Sequence, residues 1–114
     1  MQINGIELCF CLYDGDQEER KKRYFDELKQ MQNVADEIPA GTEREKNRYL
    51  CDRIKRVFDN VFGEGTGVAV CGEGNDLLNH LEAFDQLVEE QVSQNTRFKN
   101  SLSKMRALKD RMKS

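Results

Sequence analysis

The chain has 114 residues and a mass of 13.3 kDa, the usual size of one domain. Hydrophobic residues make up 38% of the sequence and charged residues 34%, so the core must be small, and the composition favours helices over a β-sandwich or barrel. No run approaches the roughly 18 apolar residues that predict a membrane span. The N-terminus lacks the basic region and long apolar run of a signal peptide, so we expect a cytoplasmic protein without membrane contacts.

The net charge of −3 conceals an uneven distribution along the chain. Residues 1–96 hold 11 Lys/Arg and 20 Asp/Glu, a balance of −9, whereas residues 97–114 hold 7 Lys/Arg and only Asp110, a balance of +6. This pattern predicts a single helical domain with an N-terminal β-hairpin over residues 1–96 and a basic helical tail over 97–114. Such a tail suits an acidic partner or the protein's own acidic body. It indicates nucleic-acid binding only weakly, because no interleaved glycines and aromatic residues accompany the charge.

Four cysteines are expected to be free thiols in a reducing cytosol: Cys9, Cys11, Cys51 and Cys71. A zinc site would need four ligands, usually with Cys-x-x-Cys spacing, and the Cys9-x-Cys11 pair does not have it. Adding Cys51, Cys71 or His80 would complete a ligand set, but no spacing supports one. We therefore expect no metal and no cofactor.

The N-terminal segment predicts a short β-hairpin. Asn4-Gly5 is a strong type I′ turn signal. After it, Ile6–Leu12 alternates apolar and other residues, as a strand with one buried face does, and Asp14–Asp16 ends the pattern. Because the first arm, Met1–Ile3, is short, the hairpin must lie on helices or pair with the edge of another chain.

Apolar periodicity after the hairpin predicts a mainly α fold with three to four helices. The first helix takes Asp16 as its N-cap and is broken at Pro39, and the second begins at the capping box Thr42-x-x-Glu45. The expected buried face of the first helix is Tyr24, Leu28, Met31, Ala35 and Ile38, and that of the second is Leu50, Ile54, Val57, Phe58 and Val61.

The last helical region carries a heptad pattern with a polar interruption. Asn75 and Asp76 are expected to cap it. Two continuations fit the pattern: one long helix, or two helices with a joint at Ser93–Thr96. The apolar seam is Leu77, Leu81, Phe84 and Val88; it then meets Gln91 and Asn95 and resumes at Phe98, Leu102 and Met105.

Five of the eight glycines lie in Val61–Asp76. A dinucleotide fingerprint needs Gly-x-Gly-x-x-Gly after a strand, but Val68 stands where the third glycine would be and a helix precedes the segment. A P-loop needs a lysine, and none occurs between residues 57 and 99. We interpret the segment as a helix end, a short apolar stretch and a second turn, with Phe62 and Val68–Val70 in the core. Its candidate hinge residues are Gly63, Gly65 and Gly67.

No set of residues predicts catalysis. His80, the only histidine, has no serine or cysteine motif near it and is expected to be a packing or surface residue. General acid–base catalysis needs a pocket that shifts pKa values. The carboxylates of the last helix, Glu82, Asp85, Glu89 and Glu90, are instead expected on its solvated side. We therefore expect no enzymatic activity and no catalytic residues.

Three stretches of the sequence resemble a known family. A short strand beginning INGIELCF and a charged helix precede FDNVFGEGTGVAVCG, and a helix with HLEAFDQLVEEQ follows. Over roughly residues 2–91, this order is similar to the small tail assembly chaperones of long-tailed phages and prophages of Gram-positive bacteria. Those proteins commonly carry a helix that ends in a Phe-Asp-x-x-Phe-Gly-Glu-Gly-like turn. The matching residues are Phe58, Asp59, Phe62, Gly63, Glu64 and Gly65.

The resemblance implies a binding protein of the bacterial host's cytoplasm. Chaperones of this family bind the long helical tape measure protein, keep its apolar helices from aggregating and help to recruit tail tube subunits. The expected partners are therefore the tape measure protein and the tail tube protein, and a homo-oligomer is left open. The alternative is a small nucleic-acid-associated regulatory protein that acts through residues 97–114. The expected partner-binding residues are Ile54, Phe58, Phe62, Leu81, Phe84 and Val88.

Overall fold

The computed structural model describes residues 1–113. This part of the chain is mainly α-helical, with an N-terminal two-stranded antiparallel sheet and five helices, so the expected fold class is confirmed. Two of the five helices are short: one lies within the predicted first helix and the other within the glycine-rich segment. The elements are β1 (Gln2–Ile3), β2 (Ile6–Glu7), α1 (Glu18–Met31), α2 (Val34–Glu37), α3 (Glu43–Phe62), α4 (Thr66–Cys71) and α5 (Leu77–Lys113).

The second strand is shorter than the predicted Ile6–Leu12. It pairs with β1 only in the register Gln2↔Glu7 and Ile3↔Ile6, and the amide of Leu8 donates to the carbonyl of Met1 (2.7 Å). Residues 9–12 continue without a strand partner in the described part of the chain. The predicted alternation still holds in this segment, because Leu8, Phe10 and Leu12 are buried while Cys9 and Cys11 are exposed.

The first helix begins later and ends earlier than expected. A 3-10 turn at Gly15–Gln17 precedes α1, and the Asp14 side chain caps that turn by accepting from the amide of Asp16 (2.9 Å). Asp16 is therefore not the N-cap of α1. The helix ends at Met31, so Ala35 falls on the separate helix α2, where it is exposed rather than buried. Tyr24 is the fully buried anchor of α1.

Helix α3 is the centre of the core, because α1, α4 and α5 all pack against it. It begins as predicted: the Thr42 hydroxyl accepts from the amide of Glu45 (3.2 Å). Its predicted stripe is also confirmed, with Leu50 partly covered and the rest buried. The side chains of Ile54, Val57, Phe58 and Val61 form that buried part.

A polar cluster joins α1 to α3. Arg53 Nη2 lies 2.8 Å from Glu27 Oε2 and donates to Gln30 Oε1 (3.0 Å), while the Asn60 amide donates to the other Glu27 oxygen (2.6 Å). Arg53 and Glu27 are both buried, so each charge depends on the other for the interactions that water would otherwise supply. The pair therefore fixes how α1 lies along α3.

The glycine-rich segment forms two turns around α4. Gly63 ends α3 with φ of 122°, and Gly65 precedes α4 in the left-handed region with φ of 91°, conformations that favour glycine. The short apolar stretch after Gly65 forms a helix. Helical spacing turns Val70 and Cys71 into the core and leaves Val68 and Ala69 exposed, so the expected burial of Val68 and Ala69 is wrong.

Helix α5 is one continuous helix of 37 residues, about 55 Å long at 1.5 Å per residue. The Asp76 side chain caps its start by accepting from the amide of Asn79 (3.2 Å). There is no break at Ser93–Thr96, so the single-helix alternative is the correct one. Its core face consists of His80, Ala83 and Leu87, all buried. Within residues 1–113, no helix combines the length and apolar character needed to cross a membrane.

We predict that Gly67→Ala destabilises the fold by about 1–3 kcal/mol, although alanine normally favours a helix over glycine. The Gly67 amide donates to Asp59 Oδ1 (2.7 Å), and a Cβ at this position would lie 2.8 Å from the Cα of Lys55. Chemical denaturation measures the change. Gly74→Ala is the control, because a Cβ there meets nothing within 4 Å. Equal stability of the two variants would contradict the close contact between α3 and α4.

Candidate partner-binding surface

Two of the six expected partner-binding residues belong to the core. Ile54 is 1% exposed and Phe58 is 0% exposed, so neither forms a surface in this conformation. Phe62 is half-buried, and its ring packs edge-on against Phe10 with centroids 5.7 Å apart. Ile54 and Phe58 are buried because α1, α4 and α5 cover this face of α3. An apolar stripe in the sequence does not show what covers it.

The three expected residues on α5 lie at the edge of the body. Leu81 is exposed, whereas Phe84 and Val88 are half-buried, with Phe84 packed against the core. The core face of α5 runs through His80, Ala83 and Leu87, one position before each of them. The heptad pattern therefore locates the border of the buried face, and the residues most deeply buried on α5 were missed.

A run of exposed apolar side chains lies farther along α5, where the helix extends beyond the body. Met105 is 70% exposed and Met112 is 79% exposed. Spacings of three and four residues place the apolar side chains of this part on one side of the helix. We call this surface the tail face; it consists of Phe98, Leu102, Met105, Leu108 and Met112, of which only Leu102 is half-buried.

Basic residues flank the tail face. Residues 97–113 contain seven Lys/Arg and one acidic residue, Asp110. On the same helix, Arg97 Nη2 lies 3.2 Å from Oε1 of Glu90, seven residues earlier. The tail is therefore a basic amphipathic helix whose apolar side has no cover along most of its length.

Polar side chains fasten the middle of α5 to the N-terminal segment. The Gln94 amide binds the backbone twice, accepting from the amide of Leu12 (2.8 Å) and donating to the carbonyl of Phe10 (2.5 Å). It thus makes the pair of hydrogen bonds that a neighbouring strand would make. This anchor lies one turn before Phe98, so it decides where the helix leaves the body.

Two tyrosines explain the polar interruption of the heptad seam. The Tyr24 hydroxyl donates to Gln91 Oε1 (2.7 Å), and the Tyr13 hydroxyl donates to Asn95 Oδ1 (2.8 Å). Burial raises the pKa of Tyr24 to about 12, so its hydroxyl remains a donor. Tyr13 also stacks on Phe98 with centroids 4.2 Å apart. Gln91 and Asn95 therefore serve attachment to the body.

A groove of about 560 Å³ runs between the N-terminal segment and α5. Its charges are paired: the N-terminal amine donates to Glu7 (2.8 Å), and Glu90 faces Arg97. The hydrogen bond to Glu7 raises the pKa of the amine, and the same bond lowers the pKa of Glu7. The groove is open along its length, and the thiols of Cys9 and Cys11 and the carboxylates of Glu7 and Glu90 are among its lining groups.

The remaining candidates are accounted for by packing and turns. His80 is fully buried, with its Nδ1 2.6 Å from the carbonyl oxygen of Asp76, so it is a packing residue. In the part of the chain that the structure covers, no three His, Cys, Asp or Glu side chains are placed to hold a metal ion. Gly63 and Gly65 shape the turn, and Gly67 is packed against α3. Motion about these glycines stays a prediction.

We predict two fast and two slow cysteines in thiol titration of the native protein at pH 8. All four are free; Cys9 and Cys11 are exposed, whereas Cys51 and Cys71 are buried. Burial raises the pKa of Cys71 to about 11 and also raises that of Cys51, which removes the reactive thiolate. The kinetics are followed by the absorbance of the thiolate that the titration reagent releases, with the unfolded protein as control. Four equally fast thiols would contradict the buried positions.

Comparison with known proteins assigns the chain to a family. No curated protein and no solved structure matches it. Residues 4–114, which include both the anchored part and the tail of α5, match a family of unknown function, DUF6673. The match spans nearly the whole sequence, so the chain belongs to the DUF6673 family.

Proposed function

We propose that the protein is a binding protein of the phage tail assembly chaperone type that shields apolar helices of a tape measure protein. The observation that carries the proposal is the tail face, an uncovered apolar strip on a helix that the body holds at its other end. A strip of this shape fits a second amphipathic helix laid alongside it. The sequence resemblance over residues 2–91 supports the same class of partner.

The size of the tail face suits reversible binding. Full burial of one large apolar side chain is worth about 1.5–3 kcal/mol. Five such side chains would together offset about 7–15 kcal/mol, the same order as the roughly 4–15 kcal/mol that association costs in lost freedom. A chaperone that must release its client needs binding of this order. Leu81, Phe84 and Val88 extend the same seam toward the body and are proposed as its secondary contacts.

The proposed setting is the bacterial host's cytoplasm, where the client would be synthesised. Recruitment of the tail tube protein is proposed as the second step, on the body rather than the tail. We propose no enzymatic role, because the groove beside α5 is open and its charged groups are paired with each other. No cofactor enters the proposal.

We predict that co-expression with a tape measure protein encoded nearby in the source genome yields a soluble complex, with the client insoluble alone. The double variant Met105→Ser/Met112→Ser should bind at least about tenfold more weakly, because two exposed apolar side chains no longer become buried. Co-purification and light scattering measure the complex. Asn100→Ser/Ala107→Ser is the matched control, since both positions lie away from the tail face and circular dichroism reports any loss of helix.

Two outcomes would count against this function. Equal binding by the methionine variant and its control would place the client elsewhere on the molecule. If the protein does not bind the client but binds DNA, with an affinity that falls steeply as the salt concentration rises, the nucleic-acid alternative is favoured. The seven basic residues of the tail are the observation behind that alternative.

A further inference from the structure

Helix α5 carries a heptad seam along almost its whole length. The seam lies beside the core face at Leu81 and is exposed again at Met105. Residues spaced strictly seven apart shift by about 20° per heptad around a straight helix. The seam therefore moves toward the side of α5 that faces the core, and it reaches that side only beyond the end of the folded body. Its members are Leu77, Leu81, Phe84, Val88, Gln91, Asn95, Phe98, Leu102, Met105, Lys109 and Met112.

The two halves of α5 carry opposite charges. Residues 77–96 contain four acidic residues and no Lys or Arg, a balance of −4. Residues 97–113 contain seven basic residues and Asp110, a balance of +6. A helix with this distribution attracts a second copy of itself in the antiparallel direction and repels it in the parallel direction.

We propose that two copies of the chain associate through α5 in an antiparallel arrangement, with the tail of each lying on the acidic half of the other. The second copy is the occupant that both observations select, because it supplies a matching seam and the complementary charge at once. The proposal goes beyond the client-binding function and does not depend on it. In the dimer, the tail face of each copy is covered by the other copy.

The seam fixes the register of the dimer. Antiparallel coiled coils place an a position opposite a d position. With the two-fold axis near Ser93, Leu102 lies opposite Phe84 of the second copy, Phe98 opposite Val88, and Asn95 opposite Gln91. A shift by one heptad would set these two polar residues against Leu102 and Phe98. Gln91 and Asn95 keep their bonds to Tyr24 and Tyr13 of their own chain, and the register near Ser93 sets no apolar residue against them.

The body leaves room for this arrangement. It packs on the face of α5 that contains Ala83 and Leu87, whereas Leu81, Asp85 and Val92 are exposed on the adjoining side. Phe84 and Val88 are half-buried, so the tail of a second copy would contact the uncovered edge of each beside this side. Tyr13 flanks Phe98 at the point where the tail leaves the body, so it borders the seam.

Charges beside the seam give the test. In this register the exposed Asp85 faces Lys99 and Arg106 of the second copy, and the reverse contact repeats across the axis. Asp85→Lys alone makes both contacts repulsive, as does Lys99→Glu/Arg106→Glu alone. A mixture of the two variants restores attraction at both places. All three positions are exposed in the single chain, so the substitutions leave its core intact.

The experiment is sedimentation velocity over a range of protein concentrations, without any client. We expect the native chain to reach twice its 13.3 kDa mass as concentration rises. Each charge variant alone should dimerise about tenfold more weakly or worse, and an equimolar mixture should recover a heterodimer. Glu82→Lys is the control, because it makes the same charge change away from the seam and should weaken the dimer much less than Asp85→Lys.

A native chain that stays monomeric at high concentration overturns the proposal. Dimerisation that both charge variants retain would also overturn it, as would a mixture of the two variants that forms no heterodimer, because either result excludes the antiparallel register. Client binding is measured separately by co-purification with the native chain, so failure of the dimer and failure of the chaperone function remain distinguishable.

Discussion

The burial of helix α3 on three sides is the constraint on which the other elements depend. The chain has too little apolar material for a second core, so α1, α4 and α5 must share one stripe on α3. Polar contacts set the angles within this shared core. Arg53 and Glu27 align α1, and the Asp59 carboxylate together with the missing side chain at Gly67 brings α4 against the backbone of α3.

Attachment of α5 follows a different principle, because its middle is held by amides rather than by apolar packing. Gln91, Gln94 and Asn95 reach residues more than 60 positions earlier in the chain. Directional hydrogen bonds fix the axial position of a helix more closely than apolar contact does. The exit point of the tail, and hence the length of the uncovered apolar strip, is therefore set by polar contacts with the N-terminal segment.

Local chemistry accounts for what the sequence predicted well. The capping box at Thr42, the stripe of α3 and the Asn4-Gly5 turn each depend on neighbours a few residues away. The errors depend on distant partners. The apolar stripe with Ile54 and Phe58 predicts a buried face, but it does not tell whether the same chain or a partner covers that face. Likewise, no residue near Gln91 in the sequence indicates that its side chain accepts a hydrogen bond from Tyr24. The basic composition of the end of α5 was visible in the sequence. That its apolar side chains are uncovered could be known only once the structure showed where the folded body ends.

The extension of α5 beyond the body has a consequence for how the tail becomes ordered. An isolated segment of this length is only marginally helical in water, because the first turn is costly to nucleate. Here the anchored turns up to Gln94 supply the nucleus, and the tail only has to propagate from it. Helix content should then decline from Phe98 toward Lys113 and rise when a partner covers the strip, so binding and the completion of the helix would be the same event.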